Sequence, residues 1–263
     1  MGGERVFNII ELEIVENVGI LTLNRPEAAN ALSLTMLNRL NETLEEIDNL
    51  QLRCLIITGA GGRVFCAGAD LKERAGMNEI EVKQTVSLIS KTMTAIEQFP
   101  MPVIAAMNGA AFGGGLELAL ACDIRLAGED CRMGLTETSL GIIPGGGGTQ
   151  RLPRIAGAAA AKELIFTARK ITAKEALTLG ILNKVVPSDQ LQQTALNLAK
   201  EIAQNAPLAL KAAKQAINSG LQSDITSGLQ MEAASYEQTI ASYDRTEGLL
   251  AFSEKRKPIF EGR

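Results

Sequence analysis

The chain has no histidine in 263 residues, and this absence removes more chemistry than any other feature of its composition. It excludes Ser-His-Asp and Cys-His nucleophilic catalysis, His-ligated zinc and an imidazole general base. Any proton transfer must therefore fall to Asp, Glu, Lys, Tyr or Cys. Tryptophan is missing too and there are two tyrosines, so a platform for stacking nucleic-acid bases is not expected. Cys54, Cys66, Cys122 and Cys131 show no Cys-x-x-Cys spacing, which argues against a zinc ribbon or a thioredoxin-type motif. They read as buried free thiols in a reducing compartment. No segment reaches the roughly 18 consecutive apolar residues of a membrane span. Residues 1–8 lack the apolar stretch of a secretory signal and the Arg/Ser-rich character of a transit peptide. Val6 stands where a myristoylation signal needs Ser or Thr. The expected compartment is the cytoplasm, or the mitochondrial matrix for a processed organelle form.

Phosphate-loop signatures are also missing. No Gly-x-Gly-x-x-Gly opens a helix after a strand and no Gly-x-x-x-x-Gly-Lys-Ser/Thr exists. The glycine-rich stretches 59–62, 113–115 and 145–148 therefore read first as tight turns. What is present is a globular composition, 46% hydrophobic and 21% charged, sufficient for a sizeable core. The net charge of -4 argues against a nucleic-acid surface.

Residues 9–15 and 19–23 alternate apolar and polar positions, with a turn between them: a hairpin. Leu34, Leu37, Leu40, Leu44 and Ile47 recur at helical spacing over 34–50, with Ser33 placed as N-cap. The apolar run 54–58 has the look of a strand buried on both faces. A helix over 79–99, a strand over 103–107, a helix over 113–121 and a strand over 123–127 follow. This alternation makes the fold α/β with largely parallel strands. From residue 158 the pattern is mainly helical. We expect an α/β core over 1–195 and a C-terminal helical region over 196–263.

Two carboxylates stand in apolar settings. Glu117 is the one charge in Leu116-Glu-Leu-Ala-Leu-Ala121, just after glycines that open a helix. Unsatisfied amides at such a helix start favour developing negative charge. Glu137 lies in another mostly uncharged stretch. The plainer reading pairs Glu117 with Arg125 or Arg151 and leaves Glu137 in a solvated loop. The sharper reading is an acid/base pair, because carboxylates in apolar surroundings have pKa values raised toward neutrality.

Five segments together resemble the crotonase (enoyl-CoA hydratase/isomerase) superfamily. They are Leu23-Asn-Arg-Pro-Glu with Asn30-Ala-Leu32, Phe65-Cys-Ala-Gly-Ala-Asp-Leu-Lys72, Gly113-Gly-Gly-Leu-Glu117, Pro144-Gly-Gly-Gly-Gly-Thr-Gln-Arg-Leu-Pro153 and Gly248-Leu-Leu-Ala-Phe-Ser-Glu-Lys-Arg256. They stand in the family's order and cover most of the chain. The resemblance implies a spiral of ββα turns, and homotrimers or homohexamers joined through the C-terminal helical region. It implies an acyl-CoA thioester substrate, in which coenzyme A is part of the substrate and no separate cofactor is expected. It also implies an oxyanion hole from the amides of Ala69 and Gly114, with Glu117 and Glu137 holding the attacking water. Keeping both glutamates favours hydration of a 2-enoyl-CoA, as in fatty-acid β-oxidation, over double-bond isomerisation. Ala69, Asp70, Leu71, Lys72 and Gly114 are the implied substrate and CoA contacts, with Phe252 and Lys255 reaching CoA of their own or a neighbouring subunit. Lys72 reads equally as a solvated lysine, and Phe252 as a core aromatic.

Within the superfamily, Met133-Gly-Leu-Thr-Glu137 and Lys162-Glu-Leu-Ile-Phe-Thr-Ala-Arg169 look most like the methylglutaconyl-CoA hydratase branch, which includes an AU-rich-RNA-binding member. That makes a branched acidic substrate the alternative. RNA binding is not expected to carry over, since helix 34–50 bears Glu42, Glu45, Glu46 and Asp48 against Arg39.

Overall fold

In the computed structural model, which describes residues 8–263, the first two strands form the expected hairpin. β1 (Ile10–Val15) and β2 (Val18–Leu23) pair antiparallel, with Val15 opposite Val18 and Glu16 in the left-handed region at φ +57°. The expectation of no targeting segment in residues 1–8 falls, apart from Asn8, outside the described residues. Helix α1 (Leu34–Asp48) starts where the Met36 N–H donates to Ser33 Oγ at 3.2 Å, satisfying one of the free amides of the first turn. Its face of Met36, Leu37, Leu40, Leu44 and Ile47 is buried.

Three ββα turns follow. The first is β3 (Cys54–Gly59), β4 (Val64–Cys66), the short helix α2 (Leu71–Arg74) and α3 (Glu79–Glu97). The second is β5 (Val103–Met107), β6 (Ala110–Phe112) and α4 (Gly114–Ala121). The third is β7 (Ile124–Gly128), β8 (Arg132–Gly134) and α5 (Gly148–Ala156). Beyond them come α6 (Ala158–Thr167), β9 (Ile171–Thr172), α7 (Ala173–Thr178) and β10 (Lys184–Val186). Four helices end the chain: α8 (Leu191–Ala203), α9 (Pro207–Gly220), α10 (Ile225–Ile240) and α11 (Tyr243–Glu254).

In each turn the first strand joins a larger sheet, ordered β1-β2-β3-β5-β7-β10 and parallel from β2 onward. The second strand joins a smaller sheet, ordered β4-β6-β8-β9. This is the expected crotonase-type spiral of ββα turns. The continuous apolar run of β3 has a direct cause. Leu55 and Ile57 point into the main core, while Cys54 and Ile56 face Ala195, Ala199 and Ala203 of α8. Truncating a side chain here, as in Ile57→Ala, would cost about 2–5 kcal/mol through lost burial and the cavity left behind.

The expected boundary near residue 195 falls inside α8, whose small buried face lies on the sheet as far as Ala203. Past it, α9 and α10 pack on each other and leave Ile217, Leu221, Ile225, Leu229 and Tyr236 exposed. The last residues fold back onto α11. Glu247 accepts from both terminal nitrogens of Arg256, at 2.6 and 2.8 Å, and from the Ile259 N–H at 2.7 Å. Among the described residues, no helix is long and apolar enough to cross a membrane.

Candidate active site

Strands β4, β6 and β8 run parallel and side by side in the smaller sheet, so their carboxyl ends deliver three consecutive segments to one place. After β4 comes 67–70, after β6 comes Gly113 with the start of α4, and after β8 comes 135–137. The Gly113 N–H donates to the Gly134 carbonyl at 2.9 Å and ties the second segment to the third. The Leu32 N–H donates to the Gly68 carbonyl at 2.8 Å and fixes the first. Arg25 holds Asp70 at 2.7 Å, while Asp70 caps α2 by accepting the Lys72 and Glu73 N–H groups.

Between these segments lies a cavity of about 560 Å³. Ala69, Gly114, Glu117 and Glu137 all line it, so the four residues expected to act together are brought together. Among the described residues, neither the Ala69 nor the Gly114 N–H has a hydrogen-bond acceptor. The two are neighbours: a Cβ on Gly114 would lie 3.5 Å from the Ala69 nitrogen. Gly113 turns the chain into α4 with φ +51°, a conformation natural to glycine, and a side chain there would press on Glu137 Oε1 at 2.9 Å.

Glu117 is buried on α4. Its Oε1 accepts two backbone amides, Gly146 N–H at 2.8 Å and Gly148 N–H at 2.7 Å. Burial raises its pKa, and these two amides, with the charge of Arg151, oppose the shift. The ion pairs considered from sequence do not form. Arg125 donates instead to the carbonyls of Ile181 and Cys122, at 2.7 and 2.6 Å. Arg151 pairs with Glu97 at 2.8 Å and donates to the Gly146 carbonyl at 2.8 Å. It thereby steadies the loop whose amides hold Glu117.

Glu137 opens a short 3-10 turn (Glu137–Leu140) and is not a solvated loop residue. Its Oε2 is buried without a hydrogen-bond partner among the described residues. Burial pushes its carboxyl up to about 7, its own backbone amide opposes this, and the negative charge of Glu117 adds to it. All four cysteines are buried, and burial pushes each thiol up to about 12, which removes them as nucleophiles near neutrality.

The other expected contacts divide. Leu71 lines the cavity; Asp70 and Lys72 do not. The Asp70 carboxylate is engaged by Arg25, and Lys72 is exposed beside Leu71 on α2. Phe252 is 86% exposed on α11, which overturns its reading as a core aromatic. Lys255 is exposed at the end of the same helix, and neither residue lines the cavity. Sequence reasoning missed Arg74, which lines the cavity, because the Leu71-Lys-Glu-Arg74 turn looks like any solvated helical surface.

A cavity with two free amides and two carboxylates of raised pKa can bind a carbonyl oxygen and move protons beside it. Residues 13–263 match the model of the enoyl-CoA hydratase/isomerase family. The chain belongs to that family. It is 45% identical over 251 residues to a short-chain-enoyl-CoA hydratase of Clostridium acetobutylicum, covering 95% of this chain and 96% of that one. It is 48% identical over 254 residues to the mitochondrial methylglutaconyl-CoA hydratase of Mus musculus, covering 94% and 81% respectively. The crystal structure of an enoyl-CoA hydratase from Bacillus anthracis superposes with a TM-score of 0.95 at 52% identity, covering 97% of this chain and all of that one. As a crotonase-superfamily enzyme, the protein is expected to take an acyl-CoA thioester. The segment 144–153 that carries part of the family likeness is the loop and helix start around Glu117.

Proposed function

We propose that the protein is an enoyl-CoA hydratase, adding water reversibly across the 2,3 double bond of a 2-enoyl-CoA to give the 3-hydroxyacyl-CoA. The observation that carries this reading is the buried Glu117 and the half-buried Glu137 on one cavity with the two unoccupied amides. Conjugation with the thioester carbonyl makes C3 electrophilic, and attack there drives charge onto the carbonyl oxygen. The Ala69 and Gly114 N–H groups receive that oxygen, each worth about 3 kcal/mol at the transition state by comparison with other oxyanion holes. Glu117, kept closer to its ionised form by two amides and Arg151, takes a proton from the water attacking C3. Glu137, with its carboxyl near 7, delivers a proton to C2. A water between the two couples their titrations, so their apparent pKa values belong to the pair. Coenzyme A is part of the substrate, and the chemistry calls for no separate cofactor. Trimers or hexamers complete the reading, supported by the apolar residues left exposed on α9 and α10, with the cytoplasm as the proposed compartment.

Incubation with crotonyl-CoA in heavy-oxygen water, followed by mass spectrometry, tests it. A hydratase yields a 3-hydroxy product that has gained one labelled water. An isomerase, which needs one glutamate for proton transfer, leaves the mass unchanged. An acidic, branched substrate is the second reading, favoured by the Gly134-Leu-Thr-Glu137 segment and the likeness to the mouse methylglutaconyl-CoA hydratase.

A further inference from the structure

Arg74 is the cationic side chain lining the catalytic cavity, among the described residues. It sits at the end of α2, half-buried, and its guanidinium has no ion-pair or hydrogen-bond partner among the described residues. Other partly buried cations of this protein are engaged: Arg25 by Asp70, Arg151 by Glu97, Lys214 by Asp123. Arg74 differs, and it looks into an apolar chamber formed with Val86, Ile89, Leu140 and Ile142. Its charge reaches Glu137, so it shares the chamber in which the reacting carbons would lie. A half-buried guanidinium with no acceptor from the protein can form charge-assisted hydrogen bonds to an anion that enters the cavity.

We propose that Arg74 receives a second carboxylate at the far end of the acyl chain, so that the preferred substrates are 2-enoyl thioesters that end in a carboxylate. The proposal rests on the hydratase reading for the placement of the acyl chain. With the thioester oxygen at Ala69 and Gly114, C3 lies at the glutamates. A carboxyl carbon two bonds further on is about 2.5 Å past C3, from ordinary carbon–carbon lengths of ~1.5 Å. The same short segment then reads both ends of the acyl group. Ala69 meets the thioester and Arg74 meets the distal anion, with the Asp70 cap and Arg25 holding the intervening turn.

The test compares the wild type with Arg74→Met and Arg74→Lys. Hydration of glutaconyl-CoA and of crotonyl-CoA is followed, and equilibrium binding of their saturated counterparts, glutaryl-CoA and butyryl-CoA, is measured. The wild type should prefer the dicarboxylic member of each pair. In Arg74→Met that preference should fall by about 30-fold or more, the lower end for losing one partner of a charged hydrogen-bonded pair, with Arg74→Lys between. A wild type without the preference overturns the proposal, as does an Arg74→Met that weakens both members equally, which would make Arg74 a contact to coenzyme A or to the fold. Crotonyl-CoA hydration without a dicarboxylate preference sinks this inference and leaves the hydratase standing. Preferential glutaryl-CoA binding without hydration of either thioester does the reverse.

Discussion

Glu137 holds a carboxylate oxygen that is buried and accepts no hydrogen bond among the described residues, and this explains much of its expected behaviour. An unsatisfied anion there is costly, so the neutral acid is favoured and its carboxyl rises to about 7. The folded protein therefore holds this proton more tightly than the unfolded chain. The resulting stability is fully present below about 4.5, the ordinary value for Glu, and is lost as pH rises through about 7. Glu137→Gln should raise the melting temperature relative to wild type at pH 8 and lose that advantage near pH 4, which thermal unfolding at the two pH values checks. Hydration of crotonyl-CoA should decline on the alkaline side with an apparent pKa near 7, as the acid of the pair is lost. At Gly146 the prediction is steric. A Cβ there would sit 2.6 Å from Glu117 Oε2, so Gly146→Ala should displace that carboxylate and lower kcat about 100-fold, as a misplacement of about 1 Å can.

Elements carry the site by their ends. The parallel neighbours β4, β6 and β8 bring together residues that lie far apart along the chain, and the 145–148 loop closes over Glu117 from a fourth direction. Arg151 is a positioning residue for that loop through the Gly146 carbonyl and Glu97. Arg151→Met should lower kcat about tenfold, as loss of a supporting hydrogen-bonding residue commonly does, with a smaller effect on KM and a displaced pH profile. Arg151→Lys should recover part of the loss. Strands β1, β2, β3, β5 and β7 of the larger sheet and helices α1, α3 and α4 were legible in the sequence to within one or two residues, because each has a full run of periodic or continuously apolar residues. Strand β10, three residues inside a stretch read as mainly helical, was not legible. Nor was the smaller sheet. Its strands are two or three residues long, too short to display a period of two, and they form because the larger sheet and the helices hold them in register. Glu117 and Glu137 were found as charges in apolar runs, and the family likeness supplied Ala69 and Gly114. Arg74 gave no signal, since the cavity it lines is completed by Val86 and Leu140, which come from distant elements.

On the scale of the whole molecule, the C-terminal tail and the helical region decide how the protein holds together. Arg256 holds the Glu247 carboxyl down at about 2, with the Ile259 amide adding to the effect. The folded state binds this proton less tightly than the unfolded chain, so the contribution is present above about 4.5 and is lost as pH falls toward 2. Glu247→Gln should therefore melt below wild type at pH 7 and converge with it near pH 2.5, a comparison made by calorimetry. The exposed Ile217, Leu221, Ile225 and Leu229 form an apolar stretch of the kind that marks subunit contacts. Analytical ultracentrifugation should find three or six chains, and Leu221→Glu with Ile225→Glu should shift the protein toward single chains. The sequence could place these residues on helices but not tell which of their faces would lack a partner within the chain, because that depends on how α9 and α10 pack together.

The most direct test of the central claim follows the absorbance of the conjugated enoyl thioester of crotonyl-CoA with wild type and with Glu137→Gln. The two-glutamate mechanism predicts rapid loss of the chromophore in wild type and a rate at least about 100-fold lower in the variant, the usual contribution of a general acid. A Glu137→Gln protein that hydrates crotonyl-CoA at the wild-type rate would contradict it.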